Sequence, residues 1–276
     1  MIMNKRTTKK LLRSIRYAAV GLILSVFLFP AYWITITAFK PMSEWNTWPP
    51  HFWPYHPTVI NFAVKGVLPF LRNSLVVSTS VALISAAISL MAAYAISRYK
   101  IGGTALAGWF ISMRMLPPIT IAIPLYVIYA KVHLLNTWLG LILVYLIPAV
   151  AFGIWVMISF LNEIPKSLDE AAYVDGATRL QTFRHVIFPL SISGLAAVIV
   201  LSFIQTWSEF LLATVLTNDS AAQTLPVYLG RFVTGYNIEW GPLSAAGLIT
   251  MLPPIIIGLI FQKYLIRGLT FGAVKG

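Results

Sequence analysis

Apolar residues fill six stretches of the chain, each long enough to cross a bilayer, which takes about 20 mostly apolar residues. The chain is 58% apolar and only 10% charged, far from the balance of a soluble domain. We therefore predict an all-α membrane protein, in which a basic segment, 1–16, precedes one transmembrane domain, 17–276. The predicted spans are Tyr17–Phe39, Asn73–Ser97, Ala105–Tyr129, Trp138–Leu161, Ser191–Leu216 and Leu243–Gln262.

Prolines indicate where helices are interrupted. Pro41, Pro49, Pro50, Pro54 and Pro57 make the segment 40–72 too broken to span, and its tryptophans suit the membrane interface. The sequence MLPPI occurs at 115–119 and again at 251–255, in the third and sixth predicted spans. We predict that both helices are broken there. Five residues are too few to establish an inverted repeat.

The basic residues are unevenly distributed. The chain has 20 Lys and Arg against 8 Asp and Glu, a net charge of +12. With the N-terminus inside, fourteen of the twenty basic residues fall in cytoplasmic segments, the bias that orients membrane proteins. The excess therefore reflects topology rather than nucleic-acid binding, and it places both termini and residues 162–190 in the cytoplasm. The fourteen are Lys5, Arg6, Lys9, Lys10, Arg13, Arg16, Arg98, Lys100, Lys166, Arg179, Arg184, Lys263, Arg267 and Lys275.

Residues 162–190 form a polar island between the fourth and fifth predicted spans, much longer than a connecting loop requires. Four of the chain's eight acids lie here. The island contains two matches to the capping box that begins a helix, with Gly176 between them where a helix can end in a left-handed turn. We predict a helix-turn-helix that projects from the membrane and suits docking by another protein. The boxes are Ser167 with Glu170 and Thr178 with Gln181.

Catalytic and cofactor motifs are absent from the sequence. It contains neither a G-x-x-x-x-G-K-[ST] phosphate loop nor a G-x-G-x-x-G fingerprint. The histidines have no metal-ligand spacing, and the chain has no cysteine. We therefore expect no metal site, no cofactor bound by this chain and no catalysis.

Three groups within the island resemble the EAA motif of permease subunits in binding-protein-dependent ABC importers. They are Glu170-Ala171-Ala172, Asp175-Gly176-Ala177 and Val186-Ile187-Phe188-Pro189. The family pattern is EAA, then a glycine, then I-x-L-P, so this chain departs from it mildly at Val186 and Phe188. The stretches 114–129, 207–213 and 268–276 are similar to the smaller permease subunit of maltose-type carbohydrate importers. The resemblance covers nearly the whole chain.

This resemblance implies a type I importer permease with six helices, in the plasma (inner) membrane of a bacterium or archaeon. The island between helices four and five would be its coupling helix. The implied partners are a second homologous permease subunit, two ATP-binding subunits that hold ATP and Mg, and an extracytoplasmic solute-binding protein. The cargo would be a sugar or sugar derivative. Glu170 could also cap its own helix, and both roles can coexist. The implied coupling residues are Glu170, Ala171, Ala172, Asp175, Gly176, Ala177 and Pro189.

Two ionisable residues lie within predicted spans, where a charge is costly and usually faces a cavity or a partner. Arg114 precedes the proline pair of the third span, and Glu209 lies in the outer half of the fifth. Ser202 and Gln205 fall on the same predicted helical face as Glu209. This stripe suits either the lining of a pathway for a hydroxyl-rich solute or helix packing, with Glu209 paired to a basic residue. Trp207 could stack on a sugar ring or anchor at the interface.

The loop Asn218–Gly241 carries polar and aromatic groups that suit contact with a binding protein or its cargo. By the resemblance, the C-terminal tail, 267–276, reaches toward the ATPase. The competing hypothesis is a self-sufficient secondary transporter or channel for a small polar solute. That hypothesis requires acids within the membrane as ion sites, and only Glu209 qualifies. The candidate contacts to a binding protein are Tyr236, Asn237 and Trp240.

Overall fold

The computed structural model describes residues 5–64 and 66–271, with side chains for 13–64, 66–103, 105, 106, 108–110 and 112–264. Over these residues the regular secondary structure is helical, joined by turns and loops, and one isolated bridge lies between Val233 and Ile238. The α-helices are α1 Lys5–Ala38, α2 Val67–Tyr99, α3 Gly103–Ser112, α4 Pro118–Lys131, α5 Trp138–Glu163, α6 Ser167–Val174, α7 Arg179–Thr182, α8 Phe188–Leu190, α9 Ile192–Trp207, α10 Leu211–Leu216, α11 Leu225–Gly230 and α12 Trp240–Phe271. Short 3₁₀ segments lie at Met42–Glu44, Ile60–Phe62 and Met113–Met115, and Phe183–Ile187 is a π turn.

Within the described residues, four helices are long and apolar enough to cross a membrane. These segments are Arg13–Ala38, Val67–Tyr99, Trp138–Glu163 and Trp240–Tyr264. The number rises to six if each of two bent helix pairs counts as one span. The all-helical membrane fold predicted from the sequence is therefore confirmed, but the third and fifth spans are not straight helices.

The chain divides into two compact units. The first consists of Met1–Lys65 and Phe232–Ile249. In it, α1 exposes large apolar side chains such as Leu22 (68%) and Phe27 (78%), as expected of a helix that faces lipid or another membrane subunit. The segment after α1 is folded without a spanning helix. There the buried Glu44 carboxylate accepts from the backbone amides of Tyr55 and His56, both at 3.0 Å.

In this same segment, Lys40 is 2% exposed, and its ammonium lies 4.5 Å from the centre of the Trp33 ring. Burial lowers the pKa of Lys40, and the nearby charge of Glu44 opposes that effect. The Lys40 side chain is therefore held inside a folded loop, and it is not a solvated surface charge.

The second unit is Gly66–Arg231 and Thr250–Gly276, and its centre is α2 packed against α5 and α9. Small residues let these helices approach closely. At Gly153 of α5, an added Cβ would lie 2.2 Å from the Ser89 hydroxyl oxygen and 3.0 Å from a methyl of Val198. The Ser89 hydroxyl in turn donates to the Val150 carbonyl at 3.2 Å.

The two LPP sequences fold differently. Leu116 and Pro117 are extended, with ψ of 119° and 128°, because a residue that precedes proline disfavours the helical region. The third predicted span is therefore broken there, as expected. In contrast, α12 continues through Pro253 and Pro254, so the predicted break in the sixth span is wrong.

A hydrogen bond from a neighbouring helix explains why α12 tolerates its prolines. Pro254 lacks the N–H that would bond to the carbonyl of Thr250. That carbonyl accepts from the indole N–H of Trp207 at 3.1 Å. Because a buried carbonyl without a donor is costly in a membrane, this side-chain donor stabilises the proline-containing turn.

The fifth predicted span, 191–216, is not a continuous helix. Helix α9 ends at Trp207, and α10 begins at Leu211. The Glu209 carboxylate accepts from the amides of Leu212 at 2.9 Å and Ala213 at 3.1 Å, so it caps the free donors at the start of α10. The predicted stripe is therefore wrong in one respect, because Glu209 lies outside the helix that carries Ser202 and Gln205.

We predict that Gly153→Ala destabilises the purified chain in detergent by about 1–3 kcal/mol, because the added methyl overpacks the contact with α2. The matched control is Gly258→Ala in α12, where a Cβ meets nothing within 4 Å. The control should be neutral or stabilising by up to about 1 kcal/mol, since alanine favours helix over glycine. Denaturant unfolding followed by circular dichroism measures both, and equal effects of the two variants would contradict the packing account.

Candidate functional site

The helix-turn-helix predicted between the fourth and fifth spans is present, but its first helix starts differently from the prediction. Lys166 occupies the N-cap position of α6 without a side-chain cap bond, and Ser167 is the first helical residue. The first turn closes through the backbone, with the Asp169 amide donating to the Lys166 carbonyl at 3.0 Å. The capping box of Ser167 and Glu170 is therefore wrong. The helix begins one residue earlier than that box requires, which moves the hydroxyl away from the free amides.

Gly176 ends α6 in the left-handed conformation, with φ of +83°. Its amide donates to the Tyr173 carbonyl at 3.0 Å, and the Ala177 amide donates to the Ala172 carbonyl at 2.9 Å. These two bonds define a Schellman motif. A Cβ at Gly176 would meet nothing within 4 Å, so the backbone conformation favours glycine here and crowding does not.

The second capping box is confirmed. The Thr178 side chain accepts from the Gln181 amide at 3.4 Å, and the Gln181 side chain accepts from the Thr178 amide at 2.7 Å. Because both ends of the turn are capped, the path from α6 to α7 is defined by local hydrogen bonds.

The inner face of this element packs into the core of the second unit. Ile187 is fully buried in a cluster with Leu90, Ala93 and Leu161. Phe183 lies against the Tyr94 ring, with 5.1 Å between centroids. The element is therefore seated on the ends of α2 and α5.

A buried ion pair, which sequence reasoning missed, fastens α6 to α2. The Arg98 Nε lies 2.8 Å from Asp169 Oδ2, and the two side chains are only 7% and 8% exposed. Arg98 also donates to the Ile164 carbonyl at 2.9 Å. From the sequence, Arg98 was interpreted only as one of the cytoplasmic basic residues that orient the protein in the membrane. Its pairing with Asp169 depends on where α2 ends, which composition does not show.

Aromatic residues extend this contact. The hydroxyls of Tyr99 and Tyr173 lie 3.0 Å apart, and the Arg179 guanidinium lies 4.9 Å from the centre of the Tyr99 ring. The hydrogen bond with Tyr99, together with burial, raises the pKa of Tyr173. The end of α2 therefore contacts both α6 and α7.

The opposite face of the element is open. Val174 is 88% exposed and Leu180 is 74% exposed. Within the part of the chain that the structure describes, the Glu170 carboxylate has no hydrogen-bond or ion-pair partner. This face combines small, apolar and acidic groups and is available to another protein. Of the residues named by the EAA resemblance, Glu170, Ala171, Asp175, Gly176 and Pro189 are exposed, and Ala172 and Ala177 are half-buried.

Arg114 lies at the break between α3 and α4 and is exposed. Its guanidinium lies 4.7 Å from the centre of the Phe152 ring, and among the described residues no carboxylate lies within 4 Å of it. Together with Gln205 and Glu209, it lines a cavity of about 270 Å³. The structure thus brings together three of the five residues predicted for the pathway or for packing.

Glu209 is held by three hydrogen bonds. Besides capping α10, its Oε2 accepts from the Tyr145 hydroxyl at 2.6 Å. The predicted basic partner is not present within the described residues. Tyr145 and the α10 amides stabilise the carboxylate instead.

The two remaining pathway candidates are buried in the helix core. Ser202 is 0% exposed. Trp207 is 3% exposed and stacks on Phe203, with 5.4 Å between centroids and 19° between planes. Burial favours the packing alternative for both residues, and the hydrogen bond from Trp207 to the Thr250 carbonyl supports it for Trp207.

The first half of the loop Asn218–Gly241 is hydrogen-bonded to α2 and to the segment before α5. The Asn73 side chain donates to the carbonyls of Ser220 and Gln223 at 3.0 and 2.9 Å. Asp219 accepts from the Asn136 side chain at 2.9 Å, and this hydrogen bond lowers the pKa of Asp219. These contacts fix this half of the loop to the helices, and Gln223 is buried while Asp219 and Ser220 stay exposed.

The second half of the loop, residues 232–240, forms a tight turn, and the residues at its tip are exposed. The Thr234 amide donates to the Asn237 carbonyl at 3.0 Å, and the Asn237 amide donates to the Thr234 hydroxyl at 3.1 Å. Tyr236 at the tip is fully exposed, and Trp240 is 40% exposed. Three exposed residues, Tyr236, Asn237 and Trp240, therefore occupy one short segment.

Comparison with known proteins agrees with this architecture. The model of the family "Binding-protein-dependent transport system inner membrane component" matches residues 85–271. The chain is 36% identical to the trehalose transport system permease protein SugB of Mycobacterium tuberculosis, over 92% of this chain and 95% of that protein. It is 33% identical to the trehalose/maltose transport system permease protein MalG of Thermococcus litoralis, over 93% of this chain and 95% of that protein.

A solved structure shares the fold. It is a crystal structure of a bacterial ABC transporter involved in the import of the acidic polysaccharide alginate, with a TM-score of 0.74 and 22% identity. The match covers 96% of this chain and 99% of that one. The chain therefore belongs to the family of inner-membrane components of binding-protein-dependent transport systems, the permease subunits of ABC importers.

Proposed function

We propose that this chain is the non-catalytic permease subunit of an ATP-driven importer that moves a sugar or sugar derivative into the cytoplasm. The observation that carries the proposal is the capped two-helix element at 162–190, seated on α2 with its outer face unpartnered. A simple connector would need neither the Schellman turn at Gly176 nor the capping box at Thr178. The sugar class is supported by relatives named for trehalose and maltose.

The complete machine would contain further subunits. This chain would pair with a second homologous permease, dock two ATP-binding subunits that bind ATP and Mg, and receive solute from an extracytoplasmic binding protein. The basic residues at the ends of α1 and α2 and in the 162–190 element support a cytoplasmic location for that element and for both termini. The tail 267–276 would approach the ATPase. Residues 267–271 belong to α12, and 272–276 lie outside the described residues.

In this proposal, closure of the ATPase dimer moves the coupling element, and the element moves the membrane helices. Glu170, Ala171, Ala172, Asp175, Gly176, Ala177 and Pro189 form or shape the docking face. Arg114 and Gln205 line the solute pathway, because both are exposed around one cavity. Ser202, Trp207 and Glu209 maintain the shape of the helices around it.

The secondary-transporter hypothesis depends on Glu209 as an ion site. The carboxylate of Glu209 accepts three hydrogen bonds that cap a helix and hold Tyr145. Glu209 therefore has a structural role that does not require ion binding. The secondary-transporter hypothesis also gives no role to the 162–190 element, whereas docking does.

The function is tested by reconstituting this chain in liposomes with the ATP-binding, permease and binding-protein subunits of its gene neighbourhood. Radiolabelled trehalose, maltose and alginate oligosaccharides are offered as separate probes. We expect uptake of at least one probe that requires ATP on the ATPase side and requires the binding protein. Uptake by this chain alone, driven by a proton or sodium gradient, would overturn the proposal.

We predict that Gly176→Val abolishes ATP-dependent uptake, because a β-branched residue is strained at φ of +83° and the Schellman turn is lost. Gly176→Asn should keep most of the activity, since asparagine tolerates the left-handed region. Gly258→Val controls for an added side chain elsewhere. Equal expression is checked by immunoblot of membranes. Normal uptake by the Gly176→Val variant would show that the coupling assignment is wrong.

We also predict an effect of replacing Tyr236, Asn237 and Trp240 together by alanine. This triple variant should reduce the stimulation of ATP hydrolysis by the binding protein, while basal hydrolysis persists. All three residues are exposed, so their replacement should not unfold the chain. Trp53→Ala, which removes another exposed aromatic residue (68%), serves as the control. Unchanged stimulation in the triple variant would show that the turn is passive structure.

A further inference from the structure

We propose that Arg98 is a positioning residue for energy coupling, because its buried ion pair with Asp169 makes α6 and the end of α2 move as one body. The proposal rests on the coupling function proposed above and identifies the contact that transmits it. Neither residue belongs to the exposed docking face, and both are more than nine-tenths buried.

The geometry of Arg98 differs from that of a surface ion pair. Exposed pairs contribute little, since solvent screens them and their side chains lose freedom. Here Nε lies 2.8 Å from Asp169 Oδ2 as a close ion pair, while a terminal nitrogen donates a hydrogen bond to the Ile164 carbonyl at 2.9 Å. One planar guanidinium therefore joins α2 to the residue that follows α5 and to α6 at the same time. A lysine ammonium keeps the charge but cannot make both contacts with one planar group.

Two weaker contacts surround the pair and restrict the same motion. The Tyr99 hydroxyl meets the Tyr173 hydroxyl at 3.0 Å, and Ser97 donates to the Asn162 side chain at 2.8 Å. Three successive residues at the end of α2 thus each contact the segment 162–173. Removing the charge of Asp169 leaves Arg98 buried without its counter-ion, which is costly, so the end of α2 should separate from α6.

The position of α2 explains why this contact matters. Helix α2 packs along α5 and α9, and its buried face includes Ser89, which meets Gly153. A force applied to α6 therefore reaches the centre of the second unit through Arg98. If the pair is absent, α6 can follow the ATPase while α2 remains behind.

The test measures the distance between two spin labels by double electron–electron resonance, in the assembled transporter in lipid nanodiscs. Spin labels are placed at Leu83→Cys, about 22 Å of helix before Arg98, and at Ser167→Cys in α6. Both sites are exposed and the chain has no cysteine. In the parent we expect one narrow distance distribution that does not change when Mg·ATP is added. In Asp169→Asn and Arg98→Lys the distribution should broaden and shift with nucleotide.

The functional readout is hydrolysis of ATP stimulated by the binding protein, which should fall roughly threefold or more in Asp169→Asn relative to the parent. Glu163→Gln, which neutralises an exposed acid at the end of α5, should change neither readout. In the double variant Arg98→Gln/Asp169→Asn the loss should be smaller than the sum of the single losses, because no buried charge is left unpaired.

A narrow distribution in Asp169→Asn that does not shift with Mg·ATP would overturn the proposal. If that variant does not assemble, Arg98→Lys decides the question, since it keeps the charge balance. Unchanged distances in Arg98→Lys would overturn the proposal equally. The outcome is separable from the coupling function itself. If Gly176→Val blocks uptake while the ion-pair variants behave as the parent, the docking role survives and the transmitting contact is wrong.

Discussion

A bilayer provides no water to satisfy backbone amides and carbonyls, so each must find a partner within the protein. The long helices meet this constraint by their own hydrogen bonds, and the breaks meet it with side chains. Glu209 supplies an acceptor to the two amides that begin α10. Trp207 supplies a donor to the Thr250 carbonyl in the proline region of α12. Two polar side chains near the end of α9 thus provide the hydrogen bonds that backbone groups at helix interruptions would otherwise lack.

Hydrogen bonds also fix the conformation of the coupling element, residues 162–190. Its turn is closed by the Schellman bonds at Gly176 and by the capping box of Thr178 and Gln181, so its conformation does not depend on the partner subunit. Its inner face is fixed by Ile187 and by the Arg98–Asp169 pair, and its outer face is left open. A preorganised element of this kind loses little conformational freedom on docking, and it can pass a displacement to the helices that hold it.

Local features of the structure were predictable from the sequence. The apolar runs indicated the helices, and Gly176 and Thr178 indicated the turn, because each signal acts over a few residues. The failures have a different origin. Whether LPP breaks a helix depends on a donor from another helix, as at Thr250. The Arg98–Asp169 pair likewise joins residues far apart in the sequence. Tertiary contacts of this kind leave no periodic pattern.

The central claim is that the open face around Val174 and Leu180 docks an ATP-binding subunit. Photo-crosslinking in the assembled transporter tests it directly, with benzoylphenylalanine placed at Leu180 or, for comparison, at Tyr236. The account predicts that position 180 crosslinks to the ATP-binding subunit and that position 236 does not. A crosslink from position 180 to the binding protein, or from position 236 to the ATP-binding subunit, would contradict both the docking role and the orientation in the membrane.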